Sequence, residues 1–323
     1  MSDAMTLFSQ ALEQLRLAAV NVPGLTELAQ FPFLFRPLVM VVLLGVVAGV
    51  IGVIVNLRSA EFSAEAMVHA VFPGIVAGAV YWGIDAIIPA ASVVAVAAAL
   101  VLTIVSHRSR RGEASEAGTA VVLTSFFSIG LILSLAKGDM SGQLEALMFG
   151  RLLEVTDLRL AQTVVVSALA LTLMRLTWKE QVATAFDPVG ARAAGLRVLA
   201  LDLVLNAAIA AVVVAAATAV GTLLVIGMLT LPGTTGRVVA RTVRGMVGTA
   251  LLVGIGGGWL GLLLAIAPAP RPVSPQAAVI MVMALALVAA VGGVRLVGAV
   301  RSRSRAGAGA PARERVAGPG EAQ

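Results

Sequence analysis

The sequence predicts an all-α fold: a polytopic transmembrane helical bundle of about nine spans, with the N-terminus outside and the C-terminus cytoplasmic. Three observations carry that reading. Hydrophobic residues make up 59% of the 323 positions and charged residues only 12%, whereas a soluble domain usually carries about 25% charged residues to cover its wet surface. Apolar stretches near the roughly 20 residues that cross a hydrocarbon core of about 30 Å recur along the chain. Once those stretches are threaded through a bilayer, most Lys and Arg residues fall on one side.

Residues 1–34 are mixed in polarity. Leu12, Leu15, Leu17 and Val20 are spaced for an amphipathic surface helix. Met1 to Gln10 lacks the basic stretch and apolar core of a cleavable signal, so this segment is expected in the mature protein. The first span is expected over Pro37 to Leu57. A polar break, Arg58 to Ser63, precedes the second span, from Ala64 to Gly83. The third covers Ala86 to Ser106, the fourth Glu116 to Ala136 and the fifth Leu158 to Trp178. Lys179 to Arg197 is polar enough to lie outside the bilayer. The apolar signal from Val198 to Pro232 is too long for one crossing at about 1.5 Å per residue. Divided near Ala219-Val220-Gly221, it gives a sixth span, Val198 to Thr218, and a seventh, Val220 to Val239. Met246 to Ile266 is the eighth and Gln276 to Leu296 the ninth. The spans thus occupy a domain over 35–298, and 299–323, rich in Arg, Ala, Gly and Pro, is expected to be a disordered basic cytoplasmic tail.

Orientation follows from the basic residues. With the Arg108–Arg111 loop inside, so are Arg58, the Lys179–Arg197 segment, Arg237, Arg241, Arg244 and the tail. Of the 23 Lys and Arg residues, only Arg16, Arg36, Lys137, Arg151, Arg159 and Arg271 fall outside. Eight spans would place the arginine-rich tail outside, against the positive-inside tendency. Tyr81 and Trp82 then sit at the outer interface and Trp178 at the inner one.

The net charge of +6 is accounted for by these loops, and no compact basic domain exists to hold nucleic acid. With no cysteine, disulfides and thiolate chemistry are excluded. No GxxxxGK[ST] occurs, so the chain is not expected to hydrolyse nucleotide itself. Gly256 to Gly261 satisfies GxGxxG but lies within a span with no preceding strand. The pairs Gly45/Gly49, Gly74/Gly78, Gly254/Gly258 and Gly257/Gly261 read instead as small-residue faces for helix packing.

Two segments carry chemistry. In Glu65-Ala66-Met67-Val68-His69, the carboxylate and the imidazole share one helix face. Ionisable groups in a span are costly and usually line a pathway. Together they can hold a divalent transition metal transiently, or Glu65 is simply a solvated residue at a helix start. His69 is the only histidine within an expected span; His107 falls in a basic loop. Pro73-Gly74 follows at once and is expected to kink the helix. The second segment is Phe186 to Leu196. Asp187 suits an N-cap, Pro188 the first helical position and Gly195 the end of a short helix. It is either a docking element presenting Phe186 or an ordinary connector.

These residues resemble the ABC-3 type permeases of bacterial manganese, zinc and iron importers over about Phe35 to Val291. The resemblance rests on Leu57-Arg58 followed by Ala64-Glu65-Ala66-Met67-Val68-His69-Ala70-Val71-Phe72-Pro73-Gly74, on Phe186-Asp187-Pro188 and Ala194-Gly195-Leu196, on Ala219 to Val225 with Leu231-Pro232, and on Glu116-Ala117, where many members have Glu-Asp. Glu65 stands where the family has aspartate, and Ala64 where it has glycine. The resemblance implies a multi-pass permease subunit of the cytoplasmic membrane rather than an enzyme, importing a divalent metal as cargo with no stably bound cofactor. It implies Glu65 and His69 in the metal path. It also implies an ATPase-coupling helix with Phe186, Asp187, Pro188, Arg192, Gly195 and Leu196. The expected partners are an ABC ATPase, an extracellular or lipid-anchored metal-binding protein, a second permease copy and membrane lipid. A permease for a metal chelate or other small solute is the first alternative. An ion-coupled secondary transporter is the second; it would need intramembrane carboxylates, of which Asp202 is the main candidate.

Overall fold

The structure of the chain, a computed structural model, describes residues 2–83, 86–108, 113–136, 150–268 and 273–308. The helices are α1 (Ser2–Val20), α2 (Thr26–Ala29), α3 (Pro32–Leu57), α4 (Glu61–Ala70), α5 (Phe72–Ala77), α6 (Ile87–Arg108), α7 (Glu113–Leu135), α8 (Asp157–Leu176), α9 (Trp178–Phe186), α10 (Pro188–Ala193), α11 (Val198–Val220), α12 (Thr222–Val239), α13 (Val243–Ile266) and α14 (Pro275–Ala308). A π-helical turn, Gly78–Trp82, extends α5, and a 3-10 turn spans Leu152–Glu154. Among the described residues, nine segments are long and apolar enough to cross a membrane: α3, α4–α5 with its π turn, α6, α7, α8, α11, α12, α13 and α14.

α3 is the most buried span and α14 the least. Pro32 stands in the first turn of α3, where its missing N–H costs nothing. α12, α13 and α8 pack against α3, and α6 and α8 pack against α11. α4 and α5 lie against α6 and α7, and α4 also reaches α11 and α12. One contiguous apolar core runs through these helices.

The long apolar run after Val198 divides as its length requires. α11 ends at Val220, and Gly221, at φ +88°, turns the chain into α12. Gly150 packs against this break, since a Cβ on it would lie 2.3 Å from the Gly221 nitrogen. A side chain is excluded at both positions, at one by backbone angle and at the other by space.

Several expectations are corrected. The first, second and eighth spans begin earlier than the hydropathy suggests, at Pro32, Glu61 and Val243. Glu61 to Ser63 is therefore helix rather than polar linker. His107, expected in a loop, lies in the last turn of α6. Leu12 of α1 is buried, but Leu15 and Leu17 are exposed, so the apolar face is narrower than their spacing implied. The last helix continues to Ala308, ten residues into the segment 299–323 expected to be disordered; the remainder of that tail, 309–323, and the loop 109–112 lie outside the described residues. Tyr81 and Trp82 are exposed, as interfacial aromatics would be.

Candidate functional site

α4 is a ten-residue helix with two faces. Ala64, Ala66, Met67, Val68 and Ala70 are buried, while Phe62 and Glu65 are exposed and His69 is half-buried. Glu65 and His69 therefore stand one turn apart at the edge between protein and surroundings. The imidazole meets Phe127 of α7 edge-on, with ring centroids 5.5 Å apart and planes at 84°. Phe127 also stacks obliquely on Phe72, at 5.2 Å. These contacts fix the ring against α7 and leave Glu65 unobstructed.

The helix breaks directly after this pair. α4 ends at Ala70, Val71 forms a turn, and α5 starts with Phe72 and Pro73. Pro73 has no N–H to give to the preceding turn, so the α4 hydrogen-bond ladder stops there. Two close approaches hold the break in place. A Cβ on Gly74 would lie 2.8 Å from the Ala90 carbonyl oxygen of α6, and one on Gly130 of α7 would lie 2.5 Å from the Phe72 ring. Interrupted backbone at membrane depth is tolerated where protein or a cavity surrounds it.

Among the described residues, no cluster of three or more His, Cys, Asp or Glu side chains is placed to hold a metal. Within one chain, then, Glu65 and His69 offer two donors. Glu116, on α7, is exposed and does not complete a set of three.

At the other predicted site, α10 is capped as its sequence suggests. The Asp187 carboxylate accepts from the backbone N–H groups of Val189 (3.1 Å) and Gly190 (2.8 Å), satisfying two donors at the helix start. Pro188 is the first helical residue, and the Arg192 guanidinium donates back to its carbonyl at 2.9 Å. Gly195, at φ +86°, ends the helix, and the Leu196 N–H donates to the Ala191 carbonyl at 3.0 Å. Ala191 is buried and Leu196 half-buried, while Phe186 and Val189 are 70% and 69% exposed. The result is a rigid turn of helix presenting an apolar pair outward.

Sequence reasoning missed a polar seam at the same end of the bundle as α10. Arg58, just past α3, donates to Gln181 of α9 at 2.6 Å and pairs with Asp202 of α11. Nδ1 of His107 lies 3.8 Å from the other Asp202 oxygen. Beside it, Arg237 of α12 donates to the Asn56 carbonyl at 2.9 Å, and the Asn56 side chain donates to Thr234 at 3.0 Å. Asp202 is thus ion-paired rather than a lone intramembrane carboxylate. The signal available in sequence was the basic residue at each span end, with no indication of its partner.

Comparison with known proteins places this geometry in a family. Residues 30–293 match the ABC 3 transport family. The chain is 34% identical over 239 residues to the manganese transport system membrane protein MntC of Listeria monocytogenes, covering 74% of this chain and 83% of that protein. It is 31% identical over 242 residues to the chelated iron transport system membrane protein YfeD of Yersinia pestis, covering 75% and 80%. Its fold superposes on a chain of PsaBC from Streptococcus pneumoniae, solved in complex with Fab, with a TM-score of 0.71 and 27% identity over 83% of this chain and 94% of that one. With a family match spanning most of its length and relatives above 30% identity, the chain belongs to the ABC 3 transport family.

Proposed function

We propose that this chain is the membrane-spanning permease subunit of an ATP-driven importer that carries manganese or iron across the cytoplasmic membrane. ATP hydrolysis resides on a separate ABC ATPase, and an external binding protein delivers the cargo. The N-terminus lies outside and the C-terminus inside, as the distribution of Lys and Arg favours. The observation that carries the reading is the pairing of an exposed Glu65 with a half-buried His69 one turn on, in a helix broken at Val71, in a chain whose relatives are named for manganese and chelated iron transport.

A carboxylate with an imidazole suits divalent first-row metals. Two donors hold such an ion weakly, and a second copy facing the first across a two-fold axis would double the set. Weak, shared coordination favours passage over storage. Glu65 is exposed in the single chain, which is the arrangement a dimeric pathway needs. At the inner end, α10 docks on the ATPase through Phe186 and Val189, with Asp187, Pro188, Arg192, Gly195 and Leu196 fixing its shape. The relative named for chelated iron makes a chelated cargo the second reading.

The test is uptake by proteoliposomes containing the permease with its ATPase. Mn²⁺ or Fe²⁺ should accumulate only with ATP on the ATPase side. Accumulation driven by a proton gradient without ATP would overturn the reading, and uptake of iron only as a chelate would replace the free-ion cargo.

A further inference from the structure

We propose that Arg58 is a positioning residue that ties the start of α4, which carries Glu65 and His69, to α9 and α11, so that displacement of the α9–α10 segment is passed to the cargo site. The inference rests on the docking reading of α10 given above.

Only Arg58, Ser59 and Ala60 separate α3 from α4, so the first turn of α4 follows wherever Arg58 is held. Ser59 adopts φ +51°, the left-handed region, which a residue with a Cβ keeps only where its surroundings impose it. Those surroundings are the closing bonds of α3, in which the Ala60 N–H donates to the Val55 carbonyl at 2.8 Å, and the Arg58 contacts then hold the turn so formed against α9 and α11. The Arg58 side chain is only 11% exposed, and its guanidinium serves two acceptors on different helices: Gln181 of α9 and Asp202 of α11. Gln181 is fully buried, and its amide nitrogen donates to the Leu201 carbonyl of α11 at 2.8 Å. Both ends of that amide are therefore committed, and α9, α11 and the α3–α4 turn are joined in one closed set of bonds. α10 follows α9 after Asp187 alone, and the cap of α10 is rigid. Force on Phe186 thus reaches Arg58 through a single nine-residue helix.

The link also has room to move. A polar cavity of about 160 Å³ lies beside it, lined by Arg58, Ser59, Ser63, Ser106, Asp202 and Asn206. Ser63 is in the first turn of α4, so this space opens along the helix that carries the site. On its other flank, α3 is fixed to α12 through Asn56, Thr234 and Arg237. One side of the turn is anchored and the other is linked to the docking segment, which is what a lever requires. A planar guanidinium can serve both acceptors at once; an ammonium acts as a point charge and does not reproduce that fork.

The test uses the permease–ATPase complex in proteoliposomes and reads Mn²⁺ imported per ATP hydrolysed. Gln181→Leu removes the α9 connection while leaving the Arg58–Asp202 pair. It should keep the ATPase bound and hydrolysing, yet lower the ratio roughly tenfold, the scale of one charge-assisted hydrogen bond. Arg58→Lys should fall between Gln181→Leu and the wild type, and Arg58→Ala should lose most import. If Arg58→Ala does not assemble, the other two variants decide. A wild-type ratio in both Gln181→Leu and Arg58→Lys would overturn the proposal, as would loss of the ATPase from Gln181→Leu, since α9 would then be only a platform. Phe186→Ala separates the two readings: normal ATPase binding by that variant would remove the docking role of α10, whereas the ratio in Gln181→Leu reports on Arg58 alone.

Discussion

Gly45 of α3 and Gly254 of α13 meet backbone to backbone. A Cβ on Gly254 would lie 2.7 Å from the Gly45 carbonyl oxygen, and one on Gly45 would lie 2.7 Å from the Gly254 carbonyl carbon. Neither neighbour is a flexible side chain that can swing aside, so the helices themselves must part to admit a methyl group. Overpacking of this kind costs about 1–3 kcal/mol. Gly256, two residues on, has nothing within 4 Å of its Cβ position. Gly254→Ala should therefore lower the thermal midpoint of the detergent-purified protein, while Gly256→Ala should leave it unchanged or raise it, alanine being the better helix former by about 1 kcal/mol. Equal midpoints for the two variants would mean that α3 and α13 are not in this contact.

The two faces that meet there were legible in the sequence as spacings of small residues, though not their pairing, and so were the span count, the division at Gly221 and the cap at Asp187. Each follows from a local constraint: the length of a crossing, a backbone angle, or a side chain bonding two residues along. The Arg58 seam was not legible, because Arg58 finds its partners 123 and 144 positions away and Gln181 reads as one more polar residue in a loop. The helical extension of α14 was missed for a different reason. Arg301, Arg303 and Arg305 end the apolar run, but arginine and alanine favour helix, and leaving the apolar layer does not require leaving the helix. The Glu65–His69 pair lay between these cases: their shared face was evident, while the sequence alone does not decide between a buried pathway carboxylate and a solvated one at the helix start, and in the structure Glu65 is exposed.

Glu65 and His69 should be jointly required for import. His69→Ala removes one of the two donors of the pair, and should reduce Mn²⁺ uptake by more than roughly tenfold, since even outer-shell changes at metal sites cost about 10–100-fold. Glu65→Gln removes the charge while keeping the shape, and should fall as far. Glu65→Asp shortens the arm by one methylene and should retain most activity. Co-purification with the ATPase should be normal in all three. Full uptake by His69→Ala would take the pair out of the pathway.

The docking helix permits a cleaner separation of shape from contact. Asp187→Ala removes an N-cap with two backbone partners and should destabilise α10 locally by about 0.5–2 kcal/mol, seen as faster amide exchange of Val189 and Gly190. Phe186→Ala removes a side chain that is 70% exposed, so stability should stay within about 0.5 kcal/mol. Both variants should weaken ATPase association, but only the first should change exchange. Unchanged co-purification in both would leave α10 a connector.

At the opposite end of α3, Asp157 at the start of α8 binds two partners from earlier helices. Its carboxylate accepts from Arg36 at 2.6 and 3.2 Å and from Ser9 of α1 at 2.9 Å. Asp157 is also favourably placed near a helix N-terminus, where the backbone dipole stabilises negative charge. The pair is partly solvated, with side chains 36% and 21% exposed, so its loss should cost only about 1 kcal/mol. That is too little to unfold the bundle but enough to loosen α1, which the described apolar contacts hold chiefly through Leu12 and Ala19. Arg16 is the only Lys or Arg before Arg36, so trypsin reports on α1 at a single site. Asp157→Ala should speed cleavage at Arg16 several-fold, by a factor on the order of the tenfold that about 1.4 kcal/mol represents, without shifting the main thermal transition by more than a few degrees. Cleavage at the wild-type rate would show that the apolar contacts, with the Arg16 bonds to the Ala29 and Gln30 carbonyls, suffice to hold the helix and that Ser9–Asp157 adds nothing measurable.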